Sequence, residues 1–182
     1  MIADEQLLLH YRSGDEDGFN ELIERYRGPL FTVILRMVGD RGDAEDIFQE
    51  TFYRVIRHRE RFDAERKFST WLYSIAVNLC RDYLRKGKRS LISPREELPD
   101  APGPENPETD SWRREIGSAV ESALAKLPFE QREVFLLREY GDMSFKEIAE
   151  LTQSNLNTVL GRMHVAIRKL RAELSAFAEG PQ

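Results

Sequence analysis

The sequence has few of the features that mark secreted, membrane-spanning or disulfide-bonded proteins. Cys80 is its single cysteine, so no internal disulfide can form and no zinc site can be built from thiolates. No stretch approaches the roughly 20 apolar residues that cross a bilayer, so we expect no membrane insertion. Residues 1–10 include Asp4 and Glu5 and lack a basic n-region. We therefore expect no signal peptide and a cytoplasmic location.

The usual signatures of an enzyme are also missing. His10, His58 and His164 are isolated, and no metal-ligand spacing connects them. There is no phosphate-cradling glycine loop and no nucleophile elbow. Paired carboxylates such as Glu45 and Asp46 lie in a highly charged pattern that implies no apolar pocket. We expect no catalytic residue, no metal and no cofactor.

The chain has no surplus of positive charge, and its net charge of −5 comes from one segment. In residues 94–111, Arg95 is the only cation among six carboxylates, whereas residues 1–93 and 112–182 are each neutral. The same segment holds five of the eight prolines, which interrupt helices and strands. We predict that 94–111 is an extended, self-repelling linker between a domain at 1–93 and a domain at 112–182.

Apolar residues recur at helical spacing in both domains, and strand-like alternation is absent. The pattern predicts helices over 3–12, 19–38 and 43–58 and a fourth that begins after Ser69 or Thr70 as N-cap. In the second half it predicts helices over 116–127 and 130–140, a short helix after Ser144, and a last helix that runs to about residue 176. The expected fold class is all-α, with two helical domains joined by an acidic, proline-rich linker.

The last two predicted helices have the form of a helix-turn-helix. Ser144 and Glu147 match a capping box that starts the first helix, and a polar turn at 152–155 precedes the second. The N-terminal residues of such a second helix face base edges in the major groove. The candidate DNA-contacting side chains are Asn155, Asn157, Thr158, Leu160, Arg162, His164 and Arg168. A purely structural helical hairpin is the alternative.

Two other stretches could bind macromolecules. Residues 62–89 alternate aromatic and basic side chains, which suits single-stranded nucleic acid because bases stack on aromatic rings while cations hold the backbone. The alternative is that Phe68, Trp71 and Tyr83 belong to the apolar core. The predicted 43–58 helix has a polar face formed by Asp43, Asp46, Gln49 and Glu50, which on its own can be an ordinary solvated surface.

Taken in order, these stretches resemble the sigma factors of bacterial RNA polymerase, in particular the small extracytoplasmic-function (ECF) group. The resemblance covers residues 5–176. It rests on the stretches 43–52 (DAEDIFQETF), 68–85 (FSTWLYSIAVNLCRDYLR), 127–135 (LPFEQREVF) and 145–150 (FKEIAE), followed by Asn157, Thr158, Val159 and Arg162.

The resemblance implies a role for each region. The face with Asp43, Asp46, Gln49 and Glu50 would dock on core RNA polymerase. Residues 60–89 would read and melt the promoter −10 element, with the 60–69 loop capturing an extruded base. The helix-turn-helix would read the −35 element as duplex, and an anti-sigma factor would control the protein. The side chains expected at the −10 element are Phe62, Lys67, Trp71, Asn78, Arg81, Arg85 and Lys88.

Some positions depart from the family pattern. Leu160 and Gly161 stand where many relatives have Lys and Ser, and Gln153 stands where the turn usually has glycine. Two other hypotheses stay open: a free-standing helix-turn-helix regulator, and an interaction module that imitates a sigma factor and sequesters a regulator. The neutral domains count against the first, because phosphate neutralisation normally dominates DNA affinity.

Overall fold

The structure, a computed structural model, describes residues 2–87 and 107–175, with no account of the side chains of 107–114. Those residues contain no strand, which confirms the all-α prediction, and none of their helices is long and apolar enough to cross a membrane. The elements are α1 (Asp4–Arg12), α2 (Glu16–Val38), α3 (Arg41–His58), a 3-10 turn (Arg59–Arg61), α4 (Phe68–Gly87), α5 (Pro107–Ala125), α6 (Phe129–Glu139), α7 (Phe145–Leu151) and α8 (Leu156–Glu173).

Local sequence signals set most helix ends. Gly39 ends α2 with a φ of 83°, a left-handed conformation that glycine adopts without steric cost. The Asp40 carboxylate then caps α3 by accepting a hydrogen bond from the amide of Asp43 at 3.0 Å. The predicted capping box is present: the Glu147 amide donates to Ser144 Oγ, and the Ser144 amide donates to Glu147 Oε2.

Several predicted boundaries were wrong: α2, for example, begins at Glu16 and not at residue 19. Two other misplaced helix starts have a specific structural reason. Helix α4 begins at Phe68, before both proposed N-caps, because the Phe68 amide donates to Glu5 Oε1 of α1 at 2.7 Å. A tertiary contact therefore replaces the local cap. Helix α5 begins at Pro107, inside the predicted linker, since a proline in the first turn of a helix has no amide that needs a partner. Residues 88–106, which include Lys88 and most of the predicted linker, lie outside the described residues. Helix α8 ends at Glu173, about three residues before its predicted end.

Each half of the chain buries apolar side chains between its own helices. In the first half α2 packs against α1, α3 and α4, and in the second half α8 packs against α5, α6 and α7. Fully buried side chains such as Leu22, Ile34 and Leu72 in the first half and Leu137 and Val159 in the second lie at these contacts. Burial of each such side chain stabilises the fold by about 1.5–3 kcal/mol.

The two halves also contact each other. Helix α2 lies against α5 and α6, and α4 lies against α7. At the first contact Arg36 Nε donates to Glu121 Oε1 at 2.7 Å, and the Arg36 guanidinium lies 4.2 Å from the centroid of the Tyr140 ring. The contact between α4 and the second half places residues of the predicted −10 surface beside the helix-turn-helix.

Candidate nucleic-acid and polymerase interfaces

Helix α3 presents the four predicted docking residues on one face. Asp43, Asp46, Gln49 and Glu50 follow helical spacing on the side opposite the buried Ala44, Thr51 and Val55. Asp46 and Gln49 are exposed, and Glu50 accepts a hydrogen bond from Arg54 Nε at 2.7 Å. The Asp43 carboxylate accepts a hydrogen bond from the Tyr83 hydroxyl of α4, which is the main reason that the pKa of Tyr83 rises to about 12.

Tyr53 lies on the same face and was missed from the sequence. Its side chain is 57% exposed, one turn beyond Gln49 and Glu50. Aromatic residues are enriched in protein interfaces, where they often contribute much of the binding energy. The signal was available, since Tyr53 lies off the apolar stripe of its helix and therefore has no place in the core.

An open groove of about 320 Å³ runs between the end of α3, the 3-10 turn and α4. Two predicted −10 residues, Trp71 and Asn78, line it from α4. The remaining lining residues combine basic and small polar or apolar side chains: Arg54, His58, Arg61, Ser74 and Ile75. An aromatic ring with amide and cationic neighbours can stack a base and hold its phosphate. Sequence reasoning missed Arg54 and His58 because it treated the end of α3 as separate from the 60–89 stretch, whereas Arg61 lies in the 60–69 loop that the resemblance assigns to base capture.

The aromatic residues of the 62–89 stretch belong mainly to the core, as the alternative interpretation held. Phe68 and Tyr73 are fully buried, and Phe62 is only 6% exposed. The Phe62 ring lies 5.0 Å from the Trp71 ring and 6.1 Å from the Phe68 ring. The expectation that Phe62 is an exposed stacking platform is therefore corrected: in this arrangement its ring helps to hold Trp71, which is half-buried at the edge of the groove.

The cations of the predicted −10 surface differ in their availability. Lys67 Nζ lies 2.8 Å from Glu147 Oε1 of α7, and Arg81 Nη2 lies 2.6 Å from Glu133 Oε1 of α6. Arg81 also donates to Asn78 Oδ1 at 3.3 Å. Arg85 is exposed and pairs with Asp82 on its own helix at 2.8 Å. Two of the predicted DNA-binding cations are thus bound to carboxylates of the second half of the chain.

The two carboxylates that hold these cations have opposite pKa shifts. Burial raises the pKa of Glu133 to about 7, and this effect outweighs the opposing charge of Arg81. Partial burial also tends to raise the pKa of Glu147, but hydrogen bonds from Lys67 and Ser144 outweigh it and lower the value to about 2. Near neutral pH Glu147 is therefore fully charged, whereas Glu133 is partly protonated.

The predicted −35 residues fall into three groups on α8. Asn157, Leu160, His164 and Arg168 are exposed on one face of the helix. Asn155 and Thr158 are also exposed but form the N-cap, where Asn155 Oδ1 accepts from the amide and hydroxyl of Thr158 at 2.7 and 3.0 Å. Arg162 is half-buried, and its Nη1 donates to Ser154 Oγ in the turn at 3.1 Å. The structure therefore places Arg162 off the face that carries the other side chains.

The turn that precedes α8 is conformationally costly. Gln153 has a φ of 51°, in the left-handed region where glycine is favoured. The Gln153 and Ser154 amides donate to the carbonyls of Glu150 and Ala149, so both turn amides are satisfied. This geometry explains why a glycine is usual at this position of the motif, and it shows that the motif forms here without one.

Comparisons with known proteins agree with this arrangement. The family model of sigma-70 region 2 matches residues 22–90, and that of sigma-70 region 4 matches residues 118–170. The ECF RNA polymerase sigma factor SigW of Bacillus subtilis is 32% identical over 175 residues, covering 90% of this chain and 92% of SigW.

Solved structures show the same fold. The structure of CnrH in complex with the cytosolic domain of CnrY matches with a TM-score of 0.73 and 27% identity, covering 97% of this chain and 99% of CnrH. Sigma factor RpoE of Bartonella quintana, in complex with the anti-sigma factor NepR, matches with a TM-score of 0.71 and 18% identity over 87% of this chain and 98% of RpoE. The chain therefore belongs to the ECF group of RNA polymerase sigma factors, which bind core polymerase and direct transcription initiation at specific promoters.

Proposed function

We propose that the first half of the chain docks on core polymerase through α3 and reads the −10 element through the groove between α3 and α4, while α8 reads the −35 element. The groove is the observation that supports this division of labour most directly. It places Trp71 and Asn78 beside Arg54, His58 and Arg61 at the surface next to the predicted docking helix. Stacking, amide and cationic groups then converge on one site that fits an unpaired nucleotide.

Docking on core polymerase is assigned to Asp43, Asp46, Gln49 and Glu50, with Tyr53 at the centre of the same face. Reversal of one charge in the substitution Asp46→Arg should weaken binding to core polymerase by about tenfold or more. Glu24→Arg is the matched control, because Glu24 is also an exposed carboxylate in an ion pair with an arginine, Arg27, but lies on α2 and not on α3. Equal loss of core binding in both variants would contradict the assignment.

Reading of the −10 element is assigned to the groove and to the basic residues beside it. The full set is Phe62, Lys67, Trp71, Asn78, Arg81, Arg85 and Lys88, of which Phe62 acts through its packing against Trp71. Asn78→Ala should reduce promoter opening by the holoenzyme without loss of core binding, since Asn78 lies in the groove and not on the docking face. Permanganate reactivity of unpaired thymines measures that opening, and an unchanged signal would remove Asn78 from the site.

Reading of the −35 element is assigned to Asn155, Asn157, Thr158, Leu160, His164 and Arg168. Asn157 and His164 offer hydrogen bonds to base edges, and Arg168 lies further along α8, where it can reach a phosphate. Arg162, which was predicted to contact the −35 element, must first leave Ser154 to do so. Arg162 is therefore assigned to the turn, and Arg162→Ala should cost less promoter affinity than Arg168→Ala.

Control by an anti-sigma factor is part of the proposal. RpoE of Bartonella quintana, which shares this fold, was solved with an anti-sigma factor bound. The chain is then a regulator and not a catalyst, and it works in the cytoplasm, where its polymerase is found. An anti-sigma partner should compete with core polymerase for this chain in a pull-down and should abolish promoter-specific transcription.

Run-off transcription tests the function as a whole. Core polymerase with this chain and a library of random promoter sequences should give transcripts from a small enriched set, whereas core polymerase alone should give none of them. Binding to core without any enriched promoter would favour the sequestering module. A salt-sensitive footprint on duplex DNA by the chain alone would favour the free-standing regulator.

A further inference from the structure

The start of α8 exposes two leucines that the fold does not explain. Among the described residues the large hydrophobic side chains exposed to solvent are Ile2, Leu9, Tyr53, Leu156 and Leu160, and the last two lie one turn apart on α8. Leu156 is 38% exposed and Leu160 is 42% exposed. A pair of apolar side chains at this spacing adds little to helix stability. A contact with another molecule would account for both.

The surroundings of the pair indicate what that molecule is. Both leucines lie in the first turns of the second helix of a helix-turn-helix, which is the part that enters the major groove. Gly161 follows them and has no side chain that covers the helix backbone. The space that a Cβ would occupy there is open, with no atom within 4 Å. Asn157 and His164 flank the pair on the exposed face. This face can therefore approach the floor of a groove closely.

The chemistry of the pair selects one kind of base. In the major groove every base pair offers hydrogen-bonding groups, but among the unmodified bases only thymine offers a methyl group. A leucine cannot hydrogen-bond and gains by covering that methyl. Four residues of helix span about 6 Å, which is close to two base-pair steps of about 3.4 Å each. Two leucines one turn apart can thus contact two thymines that are separated by one base pair.

We propose that Leu156 and Leu160 read thymine methyl groups in the −35 element, in place of the cationic and hydroxyl contacts that Lys and Ser would supply at 160 and 161. This inference rests on the proposed role of α8 in −35 recognition and adds the base class to it. The guanidinium of Arg162 does not share this face, because it is bound to Ser154 Oγ. Recognition of these two base pairs therefore relies on apolar contacts.

Replacement of thymine by deoxyuridine tests the proposal, because deoxyuridine keeps every hydrogen bond and lacks only the methyl. Each thymine of the −35 element of a promoter enriched in the run-off experiment is replaced singly, and holoenzyme affinity is measured. The loss expected for one methyl is about fourfold, at one or two positions. The loss of affinity at the thymine that faces Leu160 should vanish in the variant Leu160→Ala. The loss of affinity at the thymine that faces Leu156 should vanish in Leu156→Ala. Leu9→Ala, at an equally exposed leucine of α1, should leave both losses unchanged.

Several results would overturn the proposal. Methyl reading is excluded if the −35 element contains no thymine, or if deoxyuridine does not lower holoenzyme affinity at any position. Either result leaves the proposed function intact. A deoxyuridine penalty that persists in both leucine variants assigns the methyl contact to other residues. Loss of core binding in Leu160→Ala, with promoter discrimination unchanged, makes the pair a protein contact. If no promoter is enriched at all, it is the proposed function that fails.

Discussion

Arg81 and Glu133 form an ion pair that joins the two halves of the chain, with 2.6 Å between Nη2 and Oε1. The Glu133 side chain is only 1% exposed, whereas that of Arg81 is 34% exposed. Among the described residues Arg81 is the one that hydrogen-bonds to this buried carboxylate, and Arg162 adds a weaker electrostatic attraction. Arg81 is also a proposed −10 contact, so the proposal gives this side chain two roles: it holds the closed arrangement, in which the two halves of the chain are in contact, and it recognises DNA.

Loss of Arg81 should destabilise the chain in a pH-dependent way. Arg81→Ala removes the ion-pair partner of the buried Glu133 and leaves only the weaker attraction of Arg162, which should cost about 1–3 kcal/mol at pH 8, where the carboxylate is charged. At pH 6 the cost should be below about 1 kcal/mol, because Glu133, with a pKa of about 7, takes up a proton and loses its charge. Urea unfolding at both pH values measures the difference.

Arg85→Ala is the control for this experiment. Arg85 lies one turn further along α4 and forms an exposed pair with Asp82, which contributes little to stability. Its loss should change the free energy of unfolding by less than about 0.5 kcal/mol at either pH. Equal destabilisation by Arg81→Ala at pH 6 and pH 8 would mean that Glu133 does not titrate in this range.

The stability of the unsubstituted chain should fall as the pH rises toward neutrality. The pKa of Glu133 is about 7 in the folded state against an ordinary value of 4.5, so the folded state binds this proton more tightly than the unfolded state does. The resulting loss of stability runs from about pH 4.5 to pH 7 and levels off above, with a total of about 3 kcal/mol as an order of magnitude. Glu133→Gln, which cannot titrate, should remove this part of the pH dependence. An unchanged slope in the variant would refute the assignment.

The sequence predicts the helices of this protein well because their signals are local. Each of these signals sets a helix end within a few residues: Gly39 ends α2, Asp40 caps α3, and the capping box of Ser144 and Glu147 starts α7. The start of α4 was misplaced because its cap, Glu5, comes from a helix more than 60 residues earlier. Helix periodicity carries no information about such a contact.

The same distinction applies to the candidate sites. Helical spacing was enough to place Asp43, Asp46 and Glu50 on one face of α3. The groove could not be predicted, since Arg54 and His58 meet Asn78 only when α3 and α4 pack together. The pairing of Lys67 with Glu147 depends on the contact between the two halves and has no signal in the sequence.

Gln153→Gly should stabilise the helix-turn-helix. A residue other than glycine in the left-handed region destabilises the folded state by about 1–2 kcal/mol, and Gln153→Gly removes this strain. Glycine also has more conformational entropy in the unfolded chain, which offsets up to about 1 kcal/mol of the stabilisation. We expect a net increase of about 0.5–1 kcal/mol in the free energy of unfolding, measured by urea titration. Asp142 has the same φ of 51°, but Asp tolerates this conformation better, so Asp142→Gly should gain less. Destabilisation by Gln153→Gly would show that the Gln153 side chain makes a contact that outweighs the strain.

Neutralisation of the two carboxylates that hold Lys67 and Arg81 should increase the affinity of the free chain for single-stranded −10 DNA. In Glu133→Gln/Glu147→Gln both cations lose their ion pair with the second half of the chain, and from that half only the weaker attraction of Asp142 for Lys67 remains, so both become more available to phosphates. We expect about three- to tenfold tighter binding of a −10 oligonucleotide, measured by fluorescence anisotropy at fixed salt, because salt alone shifts such affinities.

Glu24→Gln/Glu173→Gln, measured with that variant at pH 8, is the matched control, because at this pH Glu133 is mostly charged and the two double variants change the net charge by nearly the same amount. Glu24 pairs with Arg27 and Glu173 with Lys126, and neither cation belongs to the proposed −10 surface. If both double variants bind more tightly by the same factor, the gain reflects overall charge and not the release of Lys67 and Arg81. A gain confined to Glu133→Gln/Glu147→Gln means that the closed arrangement competes with the −10 strand for these two cations. DNA or core polymerase must then separate the two halves before the −10 surface can be used.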